Sequence, residues 1–379
     1  MRSRILFLAL ILALIQAPVI ANPTSPAKCT KFCAPAIGPA GGYVYKYVGG
    51  KQQRKAINNR WETKDARKES TFDPIRVAAY KAINSLVSDP NFSNIKFEYI
   101  VRPGYPKPIE QTIRLQLEKV AARFSPLLTK QDLVKVIMVT QKDKNWVQTE
   151  LPKIVPGEEY GFGIPNLDFY SSKDDFYSRA GTGGGIAFHL PEKGYAYYIS
   201  HTSTLATLET YWPEVAPHEF AHVFQGLVTN SYREPYPNGH PDAKWNGHLI
   251  EGSANTLGMA LGFETLGWYS DEMDRIFKRD IRNYRSWRKM NNLQDAVAFI
   301  KAIEPRDGEQ SAGFSYSAGQ FVWEFFIGKY GFDKYVELLR NLPNSSNFNE
   351  NLRATIGKDR EAFYKEAGEY LLKNWKRLS

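Results

Sequence analysis

The sequence predicts an α+β chain in which an α/β lobe is followed by a helical lobe, with the chemistry at their junction. Three observations carry this expectation. Strand-like and helix-like patterns alternate as far as about residue 228, and strand-like patterns cease beyond it. Two histidines at helical spacing, His218 and His222, stand at the change. The chain then divides into stretches 1–21, 22–70, 71–228 and 229–379.

Arg2 and Arg4 precede an unbroken apolar run over residues 5–15, and Val19-Ile20-Ala21 supplies small or compact residues where a signal peptidase reads. That pattern predicts a secretory signal peptide over 1–21, too short for a membrane-spanning helix. An uncleaved N-terminal anchor is the alternative. The apolar patch 321–327 is broken by Glu324 and followed by Lys329, so no second span is expected. The expected location is secreted, periplasmic or extracellular.

Residues 22–70 are rich in Pro, Gly and Lys and lack sustained periodicity, and so read as a basic, loosely ordered leader. They carry ten Lys and Arg against three acidic residues. That surplus of seven equals the whole net charge left once Arg2 and Arg4 are removed, so the folded body is neutral. A neutral body argues against a nucleic-acid-binding face. The basic leader suits peripheral contact with an anionic cell envelope, and a solvated extension is the plainer reading. Cys29 and Cys33 permit a small local disulfide in an exported chain. Neither has the look of a zinc ligand or a nucleophile.

From Asp73-Pro74 the elements follow in order. A helix is expected to about residue 87, a strand over 95–101, and a helix over 109–124 with Ile113, Leu117, Val120 and Ala121 on one face. Residues 133–140 (LVKVIMVT) read as a buried strand and 195–200 as another. Helical patterns then run through 248–263, 270–288, 317–329, 332–340 and 359–378. Ser270, followed by Asp271, Glu272 and Asp274, reads as the cap of the second of these.

His218-Glu219-Phe220-Ala221-His222 is an HExxH. On a helix, positions i and i+4 share a face, so both imidazoles can reach one metal ion. Glu219 is turned one position away and can accept a proton from a water at an open coordination position. Pro217 fits the first turn, where its missing N–H costs nothing. A third ligand is available in His248-Leu249-Ile250-Glu251-Gly252-Ser253-Ala254-Asn255. Glu251 completes a His2Glu site for Zn2+, the commoner peptidase arrangement, and His248, one turn earlier, competes with it. Asn255, one turn later, is placed to orient a ligand imidazole as an outer partner. His189, His201 and His240 read as satisfied surface or loop histidines and not as ligands.

HEFAHVFQGLVT, residues 218–229, resembles the HELAHxWxGxxVT segment of the membrane alanyl aminopeptidase family. Glu251-Gly252-Ser253-Ala254 resembles the Glu-Gly-x-Ala that supplies the third ligand across the gluzincin metallopeptidases, which include thermolysin and bacterial collagenases. Glu251 with Asn255 is similar to thermolysin's Glu-x-x-x-Asp. The interval from His222 to Glu251 is closer to that of the collagenases, with an insertion at 230–246. The segment from Tyr316 to Gly331 resembles the clan's tyrosine-plus-helix segment. That likeness implies a hydroxyl at Tyr316 stabilising the tetrahedral intermediate. Asn351 to Gly357, with Phe363 and Trp375, resembles the closing helical repeat. The resemblance covers roughly residues 75–379 and implies a zincin-like α/β lobe with the zinc site at its junction with the helical lobe.

One departure bears on specificity. The aminopeptidases carry a Gly-x-Met-Glu-Asn strand whose Glu binds the substrate's free N-terminus. The equivalent stretch here, residues 181–188 (GTGGGIAF), has no acid and reads as a flexible edge bordering the cleft, although Glu192, Glu209 and Glu214 lie nearby in sequence. The expected function is therefore zinc-dependent hydrolysis of internal bonds in peptide or protein substrates. Glu219 serves as general base, and Tyr316 or His248 faces the oxyanion. The rival expectation is a non-catalytic zincin-fold module that binds peptide or envelope polymer. A serine hydrolase has no support, because no Gly-x-Ser-x-Gly elbow occurs.

Overall fold

Alternation of apolar residues builds the first lobe as a sheet with two covered faces. The computed structural model describes residues 43–49, 51–56, 62–154, 184–202, 213–230, 246–284, 286–305, 308–345 and 347–379. Residues 1–21, expected as a signal peptide, Cys29 and Cys33, His240, Glu209 and residues 231–245 of the expected insertion at 230–246 lie outside the described residues.

An antiparallel hairpin of β1 (Tyr43–Val48) and β2 (Lys51–Ala56) comes first. Helix α1 (Pro74–Asn84), β3 (Ile95–Val101), α2 (Lys107–Phe124) and β4 (Asp132–Thr140) follow. The short helices α3 (Lys144–Thr149) and α4 (Leu151–Ile154) precede β5 (Gly184–Leu190) and β6 (Tyr195–Thr202). The sheet order is β3-β4-β6-β5, with β3, β4 and β6 parallel and β5 antiparallel at the edge. On β4, Val134, Val136 and Met138 enter the main core, while Ile137 and Val139 enter a smaller one that Val147 and Leu151 close from α3 and α4. That period of two is what a strand buried on both faces requires.

The helical lobe begins with α5 (Val215–Thr229), in which residues 216–227 are all buried. A π-turn (His248–Gly252) runs directly into α6 (Ser253–Gly262). Then come α7 (Leu266–Asn283), α8 (Leu293–Ile303), α9 (Gly308–Ser317), α10 (Gly319–Tyr330), α11 (Phe332–Asn341), α12 (Phe348–Ile356) and α13 (Arg360–Leu378). The fold is thus a mixed α/β region followed by a largely helical one. No helix among the described residues is long and apolar enough to cross a membrane. Glu324, which interrupts the 321–327 patch, is fully buried and paired with Arg76, Tyr269 and Tyr370.

The structure departs from two sequence expectations here. Residues 43–56, expected as part of a loosely ordered leader, form the β1–β2 hairpin and dock on the helical lobe. Tyr45 donates to Glu272 (2.8 Å), the Gln52 side-chain amide donates to the Gly262 carbonyl (2.9 Å), and Arg54 pairs with Asp271 (2.7 Å). The alternation Tyr43, Tyr45, Tyr47 before a Gly-Gly turn is the local cause, and it was masked by the charge of the surrounding segment. The cap of α7 is Thr265, whose hydroxyl accepts from Trp268 N–H, and not Ser270. Ser270 is buried one turn inside, where its hydroxyl accepts from Arg76.

Candidate metal centre

Helix α5 carries the HExxH and lies between the sheet edge and α6. Both neighbours approach it at glycines. A Cβ at Gly258 of α6 would stand 2.8 Å from the Cβ of His218, and one at Gly262 would stand 2.7 Å from the Pro213 carbonyl. On the other side, a Cβ at Gly185 of β5 would stand 2.4 Å from Cγ of Glu219. The glycine-rich stretch expected as a flexible edge is, in its described part, a regular edge strand. Its lack of side chain at Gly185 is what lets the strand lie over Glu219.

The close α5–α6 contact brings Glu251 to the histidines. His222 Nε2 lies 3.1 Å from His218 Nε2 and 3.1 Å from Glu251 Oε2, and His218 Nε2 lies 3.5 Å from Glu251 Oε2. All three residues are buried. Zinc bonds of about 2.0–2.1 Å at tetrahedral angles separate neighbouring ligand atoms by about 3.3 Å. The three observed separations bracket that value, so the donor set fits the ion in chemistry and in spacing. His218, His222 and Glu251 form a zinc-binding triad of the zincin type at the junction of the two regions.

Glu219 is buried beside the triad's helix face, under Gly185. Tyr316, at the end of α9, stacks its ring on His218 with centroids 5.8 Å apart and planes 16° apart. Every other residue in 311–320 is buried, whereas Tyr316 is half-exposed. The structure therefore brings Tyr316 to the triad from 65 residues beyond Glu251 in sequence.

His248 is placed elsewhere. The i→i+5 turn is wider than an α-helical one, so positions three apart no longer share a face, and His248 leaves the side on which Glu251 projects. It is fully buried among α10 and α13, where Trp323 N–H donates to its Nδ1 (3.2 Å) and its Nε2 meets Tyr364 hydroxyl (2.7 Å). Burial, with help from the Arg360 charge, drives its pKa down to about 3. His248 is thus neither a competing ligand nor placed at an oxyanion. Asn255 lies buried on α6 one turn after Glu251, and among the described residues its side chain has no hydrogen bond to His218 or His222; the His222 ring is bonded by Gln225 instead. His189 and His201, expected at the surface or in loops, are instead buried in β5 and β6, and desolvation lowers the His201 pKa to about 4.

The partner of the His222 imidazole is Gln225, which the sequence reading missed. Its Oε1 lies 3.0 Å from His222 Nδ1. A glutamine one turn after the second histidine on the same helix is the only sequence signal, and it equally describes an ordinary buried polar residue. Of the acids near the glycine stretch, Glu192 is exposed past the far end of β5. Glu214 is buried before α5, its pKa raised to about 7 by desolvation and by the Glu272 charge. No protein-family model matches the chain, and no curated protein matches it in sequence.

Proposed function

We propose that the protein is a secreted zinc-dependent peptidase that cuts peptide bonds internally. The carrying observation is the triad of mutually facing Nε2, Nε2 and Oε2 atoms at 3.1–3.5 Å, with Glu219 on the same helix and Tyr316 stacked on His218. A purely structural site has no use for a carboxylate beside an open position. When bound, the ion supplies Lewis-acid charge to the scissile carbonyl and lowers the pKa of a water there. Glu219 takes a proton from that water as its oxygen bonds to the carbonyl carbon, and later delivers the proton to the amine nitrogen as the C–N bond breaks. The Tyr316 hydroxyl is assigned to the oxygen on which charge accumulates. Its stacking on His218 fixes the ring and so preorganises that donor.

The preference for internal bonds is supported by β5. An aminopeptidase must pair a cationic substrate terminus, and a dry site without a carboxylate disfavours that cation. Gly184–Leu190 contains no acid, and about 17 Å of extended strand separates Gly185 from Leu190, before Glu192 is reached. Export is part of the same proposal, resting on the sequence of residues 1–21. The test is zinc content by elemental analysis together with cleavage of a peptide library in N-acetylated and free forms. The expected outcome is about one zinc per chain and internal cuts that acetylation leaves intact. One-residue trimming of free peptides alone would reject the endopeptidase reading, and a zinc-loaded protein that cuts nothing would reject the peptidase.

A further inference from the structure

The hydrogen bonds of Gln225 determine where the proton of the His222 imidazole sits. Gln225 is fully buried in α5. Its Nε2 lies 3.1 Å from the Ile250 carbonyl and 3.4 Å from the Leu249 carbonyl. Carbonyl oxygens only accept, so the NH2 end of the amide must face them. The same nitrogen meets Ser253 Oγ at 2.9 Å, and that hydroxyl spends its own proton on the Leu249 carbonyl (2.5 Å) and can only accept from Gln225. The amide therefore has one orientation, with Oε1 toward His222.

An amide oxygen is an acceptor, so the group 3.0 Å away at His222 must be Nδ1–H. A neutral His222 with its proton on Nδ1 presents the lone pair of Nε2 to Glu251 and His218. That is the tautomer a metal ligand requires. The other end of the same side chain is anchored to the two carbonyls immediately before Glu251. One neutral amide thus joins the second histidine ligand to the backbone that carries the carboxylate ligand.

We propose that Gln225 is the positioning residue of the metal centre: it fixes the His222 tautomer through Oε1 and fixes the approach of Glu251 through Nε2. The proposal rests on the zinc-site reading but not on peptidase activity. Its amide is suited to both tasks, whereas a carboxylate at this position keeps the acceptor toward His222 and loses only the donors toward the Leu249 and Ile250 carbonyls. Outer partners of metal-bound histidines are worth about 10–100-fold in metal affinity.

The experiment measures zinc affinity by chelator competition in the full chain for wild type, Gln225→Met and Gln225→Glu, with folding checked by circular dichroism. Gln225→Met, of similar volume, is expected to bind zinc about 10–100-fold more weakly. Gln225→Glu keeps the acceptor and is expected to recover part of that loss. Wild-type affinity in folded Gln225→Met, or Gln225→Glu no tighter than Gln225→Met, overturns the proposal. A second measurement needs no variant: nitrogen NMR of the histidine rings in zinc-loaded wild type should show His222 protonated at Nδ1. An unprotonated Nδ1 overturns the proposal even if the variants do not fold. Zinc-binding wild type that hydrolyses no peptide removes the proposed function and leaves this inference standing, whereas wild type that binds no zinc removes both.

Discussion

His248 and Glu251 are three residues apart, yet they belong to two buried sites built from similar parts on opposite electrostatic logic. Around His248 each donor meets an acceptor: Trp323 N–H points at Nδ1, Nε2 points at Tyr364, and the Tyr364 hydroxyl donates to Glu304. Around Glu251, acceptor faces acceptor. Gln225 places the His222 proton on Nδ1, so Nε2 and the Glu251 carboxylate oxygen confront each other at 3.1 Å. Such a contact is repulsive unless a cation is shared between the atoms. A buried histidine is therefore not in itself a sign of a metal site. The polarity of what its nitrogens face is the sign.

That contrast is broken or sharpened first at His222. His222→Ala removes one of three coordinating groups, and the expected result is loss of bound zinc after dialysis, read by elemental analysis. Full occupancy in the variant would erase the distinction between the two sites. Next in size is Glu219→Gln, expected to keep zinc and fold while lowering turnover by about 10^3- to 10^4-fold, because an amide cannot take the water's proton. Smaller again is Tyr316→Phe, which keeps the ring on His218 and removes only the hydroxyl. A fall in kcat of about 10^2-fold with KM little changed is expected from losing one oxyanion donor, and an unchanged kcat would place that donor elsewhere.

Much of this is legible in the sequence. Three strands of the sheet followed from apolar periodicity, and the α5 helix from the spacing of the HExxH. The two histidine ligands followed from i, i+4 spacing, and the preference for Glu251 over His248 from ligand chemistry. What was not legible depends on tertiary partners. An α-helical wheel puts His248 and Glu251 on one face, and only the π-turn separates them. Asn255 has the spacing of an outer partner but no bond to either imidazole, while Gln225 gains that role because the Leu249 and Ile250 carbonyls orient its amide. The β1–β2 hairpin was hidden because Arg54 and Gln52 look solvent-facing until Asp271 and Gly262 are brought to them. Buried charge is invisible to a hydropathy pattern.

The smallest effect on the metal centre, and the sharpest test of the comparison, is expected at His248 itself. His248→Leu leaves the Trp323 N–H and the Tyr364 hydroxyl short of a partner, at a cost of about 2–4 kcal/mol in stability, while zinc affinity changes by less than about threefold. Acid sharpens the point. His248 has a folded pKa of about 3, below the ordinary value of 6.5 that it regains on unfolding. Between pH 6.5 and about 3 the unfolded chain binds a proton that the native site refuses, so stability is full above that window and falls as pH drops through it. The slope is about 1.4 kcal/mol per pH unit for one such group. His201, lowered to about 4, adds the same sign over a slightly narrower window. Because His201 and every other residue are common to both proteins, the difference between metal-free wild type and metal-free His248→Leu isolates His248. Urea midpoints from pH 7 to 4.5 should therefore converge as the solution is acidified, the wild type losing its advantage. Parallel curves would mean that His248 is as easily protonated in the native protein as in the unfolded one, and the donor-to-acceptor account of its site would be wrong.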